Sequence, residues 1–120
     1  PAGWRTVEEP VRVPEALARM PRGATVVLDC VTVWIGGLVW RRVPAEAVLD
    51  RVRAVCATAK ARRLRLIVVS NEAGSGVIAA TRAGRAFAVA LGSANQVLAR
   101  AAGRVEWLVA GIPVAVKRAR

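Results

Sequence analysis

Two short aliphatic runs constrain the fold of this chain more than any other feature: Ala24-Thr25-Val26-Val27-Leu28-Asp29-Cys30 and, about forty residues later, Leu64-Arg65-Leu66-Ile67-Val68-Val69-Ser70. Both read as buried strands. Between them Pro44 opens a helix that extends to about Arg63, in which Ala47, Val48, Val52, Val55 and Cys56 form an apolar stripe at spacings of three and four. Strands alternating with helical stretches predict βαβ units and a parallel sheet, hence an α/β class. In such a sheet, ligands bind at the carboxyl ends of the strands, so Asp29 and Glu72 are expected on one rim. The turn after the second run, Asn71-Glu72-Ala73-Gly74-Ser75-Gly76, brings glycines to the same place, where backbone amides can approach an anion. A carboxylate pair with a glycine turn suits a metal-nucleotide site.

The rest of the chain divides around these runs. Trp4 to Val7 reads as extended, and Pro14 to Met20 as a short helix ended by Pro21-Arg22-Gly23. Val31 to Trp40 is apolar, but the Gly36-Gly37 pair weakens a helical reading there. A long alanine-rich helix is expected over roughly Ala79 to Ala102, then a strand from Val105 to Ala110, a short strand from Val114 to Lys117, and a basic tail. Residues 1–120 are the size of one domain, with no repeat and no linker. Although 55% of the residues are hydrophobic, the longest stretch free of charge, Ala86 to Ala99, falls short of the roughly 18 residues a span needs. A soluble chain is expected. The first residues show neither an initiator Met nor a secretion signal, and the start reads as a cut. Two cysteines without metal-ligand spacing favour a reducing, cytoplasmic setting, and the absence of any histidine excludes a histidine base or ligand within these residues.

The net charge of +11 comes from 19 basic and 8 acidic residues and raises the question of nucleic-acid binding. The arginines are spread over helix faces, with no tyrosine and one phenylalanine to provide a stacking platform, so nucleic acid is disfavoured as a partner.

A few positions carry the candidate chemistry that the residues themselves suggest. Asp29, after Thr25-Val26-Val27-Leu28, has the form of a Walker-B carboxylate that holds Mg²⁺; its alternative is to cap the following helix. Thr32 could bond a phosphate or a metal-bound water, or serve local structure. Glu72, between Asn71 and two glycines, gains little from packing and points to function. Arg82 and Arg85 lie three apart on the helix that leaves the glycine turn, facing either a phosphate or solvent. Asn95 and Gln96 are adjacent amides in an apolar helix, which leaves a surface position and an inward hydrogen-bonding Asn both open. Trp34 and Trp40 are expected in the core or an interface.

Taken in order, these segments resemble one family, the bifunctional adenosylcobinamide kinase / adenosylcobinamide-phosphate guanylyltransferases of cobalamin biosynthesis. Trp4 to Pro10 resembles its W-x-T-x-E-x-P segment, and Leu28-Asp29-Cys30-Val31-Thr32-Val33-Trp34 its L-D-C-x-T-x-W region. Ser70 to Val77 is similar to S-N-E-V-G-x-G-I, Arg85 to Gln96 to R-x-F-R-D-x-x-G-x-x-N-Q, and Val109 to Pro113 to V-A-G-L-P. The resemblance implies a P-loop NTPase-like (RecA-like) three-layer sandwich with a mostly parallel sheet, of which this chain is the C-terminal portion with the N-terminal part truncated. It also implies a homo-oligomer, usually a trimer, that phosphorylates adenosylcobinamide with ATP or GTP and Mg²⁺ and then transfers GMP through a guanylylated histidine. Under it, Glu8 and Asp29 fall on positions that contact the guanine nucleotide or its metal, and Glu72 becomes a candidate for orienting or deprotonating the cobinamide hydroxyl.

The departures matter too. The family's phosphate loop with its Lys and Ser, and the histidine after it, lie upstream of the W-x-T-x-E segment and are not among these 120 residues. Ala79 replaces a usual Pro, Ala88-Val89 the Arg-Asp pair, Gly37 an Asn, and Glu106 takes a commonly apolar position. The competing readings are a degenerate binding or assembly module of the same fold, and a basic nucleic-acid-binding protein.

Overall fold

The computed structural model describes residues 3–76 and 78–118; Val77 of the glycine turn and the last two residues of the basic tail lie outside them. The order is α1 (Val13–Ala18), β1 (Thr25–Leu28), α2 (Val31–Trp40), α3 (Ala45–Ala61), β2 (Arg65–Val68), α4 (Arg82–Ala101), β3 (Val105–Val109) and β4 (Ile112–Lys117). The two aliphatic runs pair in parallel, with Thr25 opposite Arg65 and Leu28 opposite Val68. The expected mixed α/β domain with a parallel pair is therefore present.

The sheet is smaller than a mostly parallel one. Among the described residues it is a two-stranded parallel pair, and β3 and β4 form a separate antiparallel hairpin. Alternate residues of β1 and β2 explain the layering. Val26, Leu28, Leu66 and Val68 pack on the core formed with the helices, whereas Val27 and Ile67 on the opposite face are exposed. Only one face of the pair is covered by the described residues, so they supply two layers where the resemblance implies three.

The helices cover that face through a dense apolar core. Val48, Val52 and Val55 of α3, Val31, Ile35 and Leu38 of α2, and Leu91 and Ala94 of α4 are completely buried. The Gly36-Gly37 pair, which weakened a helical reading of this segment, does not interrupt it: the helix runs unbroken through both. A Cβ on Gly36 would stand 3.6 Å from the Phe87 ring, an ordinary contact distance, so it is the burial of Val31, Ile35 and Leu38 in the core that offsets the poor helix propensity of the pair. Trp34 is in the core, and its indole N–H donates to the Val11 carbonyl at 3.3 Å. Trp40 is 86% exposed and is not a core residue, because the helix turns it to the side away from α4 and α3.

Helix α4 begins at Arg82, later than the composition suggests. The Thr81 hydroxyl accepts from the Gly84 amide at 3.0 Å and caps the helix, which keeps Ala79 and Ala80 in the preceding loop. At its other end Lys117 of β4 donates from Nζ to the carbonyls of Ala99 and Arg100, a cation bonded to the free carbonyls of a helix terminus. The hairpin turns through Ala110 and Gly111, both at positive φ, as a two-residue turn between antiparallel strands requires. Trp107, Leu108, Ile112 and Val116 along it are more than half exposed.

The N-terminal segment is anchored by Glu9, whose Oε1 accepts from the amides of Arg12 at 2.7 Å and Val11 at 2.9 Å. These bonds, that of Arg12 first, and the nearby guanidinium groups of Arg12 and Arg19 hold its carboxyl below the ordinary value of 4.5. Because the folded chain favours the carboxylate, Glu9 stabilises the fold at neutral pH and loses that contribution as pH falls from about 4.5 through the lower folded value. The Val11 and Arg12 amides should lose protection, measured against the intrinsic exchange rate at each pH, below that range, and in Glu9→Gln the acid-dependent part of the loss should disappear. Leu91→Ala should lower the unfolding free energy by about 2–4 kcal/mol, read as a lower urea midpoint at an unchanged slope.

Candidate functional site

The parallel ladder continues one step past the strands and ties their ends together. The Val69 amide donates to the Leu28 carbonyl at 3.0 Å, and the Val31 amide at the start of α2 donates to the Val69 carbonyl at 2.9 Å. Asp29 therefore leaves β1, and Asn71 and Glu72 leave β2, at the same carboxyl-end rim. A third bond joins the two crossings directly, from the Asn71 amide to the Thr32 hydroxyl at 3.0 Å. Thr32 thus has a structural partner in the loop that carries Glu72, whatever else its oxygen bonds. Asp29 is exposed, at a cis peptide preceding Cys30.

Asn95 secures the loop from the other side. Its side-chain amide donates to the Asn71 carbonyl at 2.9 Å, and its Oδ1 accepts from the Ser70 hydroxyl at 2.6 Å. Of the two alternatives left open for the adjacent amides, Asn95 is the inward, hydrogen-bonding one, and Gln96 is exposed and accepts from Arg100. The signal was its spacing. Asn95 follows the buried Leu91 by four residues and so shares its face of α4.

Glu72 is exposed, and its Oε1 turns back to accept from the Gly74 amide at 2.7 Å. A Cβ on Gly74 would sit 2.8 Å from that oxygen, so the glycine is what permits the carboxylate to fold into its own loop. The remaining carboxylate oxygen has no hydrogen bond among the described residues. The loop then ends on Arg85, whose Nη1 donates to the carbonyls of Ala79 at 3.1 Å and Ala80 at 2.9 Å. One guanidinium nitrogen of Arg85 is thus used to hold the loop. Arg82, one turn earlier, is exposed, and neither helps to balance an acid, since the first turn of α4 holds none.

The backbone segments that carry Asp29, Thr32 and Glu72 are accordingly joined at the rim, and Arg85 is joined to the far end of the Glu72 loop. Glu8 stands apart. It is exposed in the extended N-terminal segment, and among the described residues no hydrogen bond links it to Asp29 or Glu72. Its neighbour Glu9 is the organised carboxylate there, a role that the sequence reading missed and that a carboxylate shortly before a proline-started helix signals. No group of three metal-ligating side chains occurs among the described residues. Partial burial pushes the Cys56 thiol up, which disfavours the reactive thiolate. No helix among the described residues is long and apolar enough to cross a membrane.

The rim can therefore do three things: offer a single exposed carboxylate at Asp29, hold a second at Glu72 in a fixed loop, and place arginines where that loop enters α4. Comparison with known proteins shows the family. The family described as cobinamide kinase / cobinamide phosphate guanyltransferase matches residues 1–116. The bifunctional adenosylcobalamin biosynthesis protein CobP of Pseudomonas aeruginosa is 34% identical over 119 residues, covering 98% of this chain and 68% of that protein. The bifunctional adenosylcobalamin biosynthesis protein CobU of Escherichia coli is 28% identical over 130 residues, covering 98% of this chain and 72% of that protein. With the rim geometry and a match across nearly its whole length, the chain belongs to the cobinamide kinase / cobinamide phosphate guanyltransferase family.

Proposed function

We propose that this chain carries the acceptor side and part of the nucleotide side of an adenosylcobinamide kinase / adenosylcobinamide-phosphate guanylyltransferase. The observation that supports it most is the bonded rim, in which Thr32, Asn71 and Asn95 hold the loop of Glu72 beside the strand end that carries Asp29. Phosphoryl transfer needs positioning and charge neutralisation more than covalent participation by the protein, and a fixed rim suits that requirement. In this reading Glu72 orients or deprotonates the cobinamide hydroxyl through its free oxygen, and Arg82 meets phosphate. Arg85 contributes the guanidinium nitrogens that do not hold the loop.

A lone carboxylate fits Mg²⁺, which binds through one or two carboxylates together with nucleotide phosphates and water. Asp29 would hold it, with the Thr32 hydroxyl within the same turn. Bound there, the ion would neutralise charge on the transferred phosphate. Glu8 remains a nucleotide-site residue in this reading, supported by its place in the W-x-T-x-E-x-P segment. The fold is read as P-loop NTPase-like, with this chain as the C-terminal portion of one domain. A cytoplasmic homo-trimer completes the proposal, and the exposed apolar residues of the β3–β4 hairpin are consistent with further contacts there.

The 120-residue polypeptide contains no Gly-rich loop with Lys and Ser and no histidine, the groups needed to cradle a triphosphate and to carry GMP. By itself it should show no GTP- or ATP-dependent phosphorylation of adenosylcobinamide; measurable turnover by the purified 120-mer would refute that assignment. In the intact enzyme, Glu72→Gln should depress kinase turnover by about a hundredfold or more, the scale of losing a general base, while nucleotide affinity stays within about twofold. Equal loss of turnover and nucleotide affinity would remove Glu72 from the acceptor side.

A further inference from the structure

Asn95 stands out because a neutral amide occupies a half-buried position of α4 beside Leu91 and Ala94, which are completely buried. Burying an amide without partners is costly, so its bonds need an account. Both ends of the side chain are used, and both go to one dipeptide. The Asn71 carbonyl can only accept, so it takes the Nδ2 donor at 2.9 Å; that leaves Oδ1 for the Ser70 hydroxyl at 2.6 Å. The Asn71 amide in turn donates to Thr32. Asn71 is thus held by its N–H from α2 and by its C=O from α4, and the residue after it is Glu72.

We propose that Asn95 is a positioning residue for the acceptor carboxylate: by bridging Ser70 and Asn71 it sets the direction in which the chain leaves β2 and so fixes the place of Glu72. It acts through the backbone and does not touch substrate. The inference rests on the phosphoryl-transfer reading for its catalytic consequence, while the bridge itself is a property of this chain. A carboxylate held one residue beyond a doubly bonded peptide has little freedom to swing, and the Glu72 to Gly74 bond removes more of it. Small displacements of a reacting group are expensive in rate, whereas nucleotide binding, which the Ser70-Asn71 peptide does not contact in this reading, has no reason to change.

Asn95→Asp tests the bridge with almost no change of shape. It keeps an acceptor for Ser70 but sets an oxygen against the Asn71 carbonyl, and Asn95→Ala removes both bonds while retaining a good helix former. In the 120-residue chain, amide exchange followed by NMR should show Asn71 exchanging about tenfold faster or more in both variants, because a residue freed at its carbonyl also opens more often at the N–H that donates to Thr32, with the α4 amides around Leu91 unchanged. Ser70→Ala, which deletes one of the two bonds and leaves the helix untouched, should give a smaller increase and keeps the test valid if the Asn95 variants fold poorly. In the intact enzyme, kinase kcat should fall about tenfold or more with the KM for nucleotide within about twofold. Unchanged Asn71 exchange in all three variants overturns the bridge. Faster exchange with an unchanged kcat, or with kcat and KM moving together, overturns the positioning role. If the intact wild-type enzyme proves to have no kinase activity, the phosphoryl-transfer reading fails and the positioning role with it, yet the exchange arm still decides the bridge.

Discussion

The Val69 peptide is the joint on which the rim depends. Its amide bonds to Leu28 at the end of β1 and its carbonyl accepts from Val31 at the start of α2. A slip of one residue in this parallel register would exchange the inward and outward faces of β2 and bury Arg65 and Ile67 in place of Leu66 and Val68. It would also move Asn71 away from Thr32. Core packing and rim geometry are therefore set by one pairing, and the apolar face that selects the register also brings Asp29 near the loop of Glu72.

The charge distribution follows from the same arrangement. The core contains no buried polar or charged side chain among the described residues. The ion pairs there are exposed and local, such as Arg53 with Glu46 and Asp50 on one helix face. Pairs of that kind contribute little. The arginines that organise structure do so by bonding backbone carbonyls instead: Arg51 to Val11, Arg22 to Ala61, Arg85 to the end of the glycine loop. A strongly basic chain can thus remain compact because many of its cations close turns and helix ends, without needing an equal number of acids.

What could be read in advance depended on range. The strands, the α3 stripe and the shared rim of Asp29 and Glu72 were legible because periodicity and the carboxyl-end rule involve neighbours in sequence or a single topological inference. The unbroken α2 was not, since what holds it helical is the burial of Val31, Ile35 and Leu38 against elements distant in sequence, α4 among them. The Thr81 cap was written in the sequence but masked by the alanines before it, which have a high helix propensity of their own. Asn95 was half legible: its face could be assigned, but its partners, about 25 residues earlier, could not. The third layer implied by resemblance is not formed by the described residues, because the exposed faces of β1 and β2 find no covering element among them.

The start of α4 holds the least balanced electrostatics of the rim. Arg82 and Arg85 lie in its first turn, where the helix dipole is positive, with no acidic residue to offset them. Arg85 is partly explained by the carbonyls of Ala79 and Ala80. Arg82 gains no such bond among the described residues, and a cation at a helix N-terminus is disfavoured by a few tenths of a kcal/mol to about 1 kcal/mol. On a solvated surface a neutral or acidic polar residue would serve better. The arrangement becomes favourable when an anion reaches the helix N-terminus, since the free amides, the dipole and the guanidinium then act together. A phosphate brought to the rim by nucleotide or by the phosphorylated product would be such an anion, arriving at the end of the loop opposite to the one that Asn95 holds.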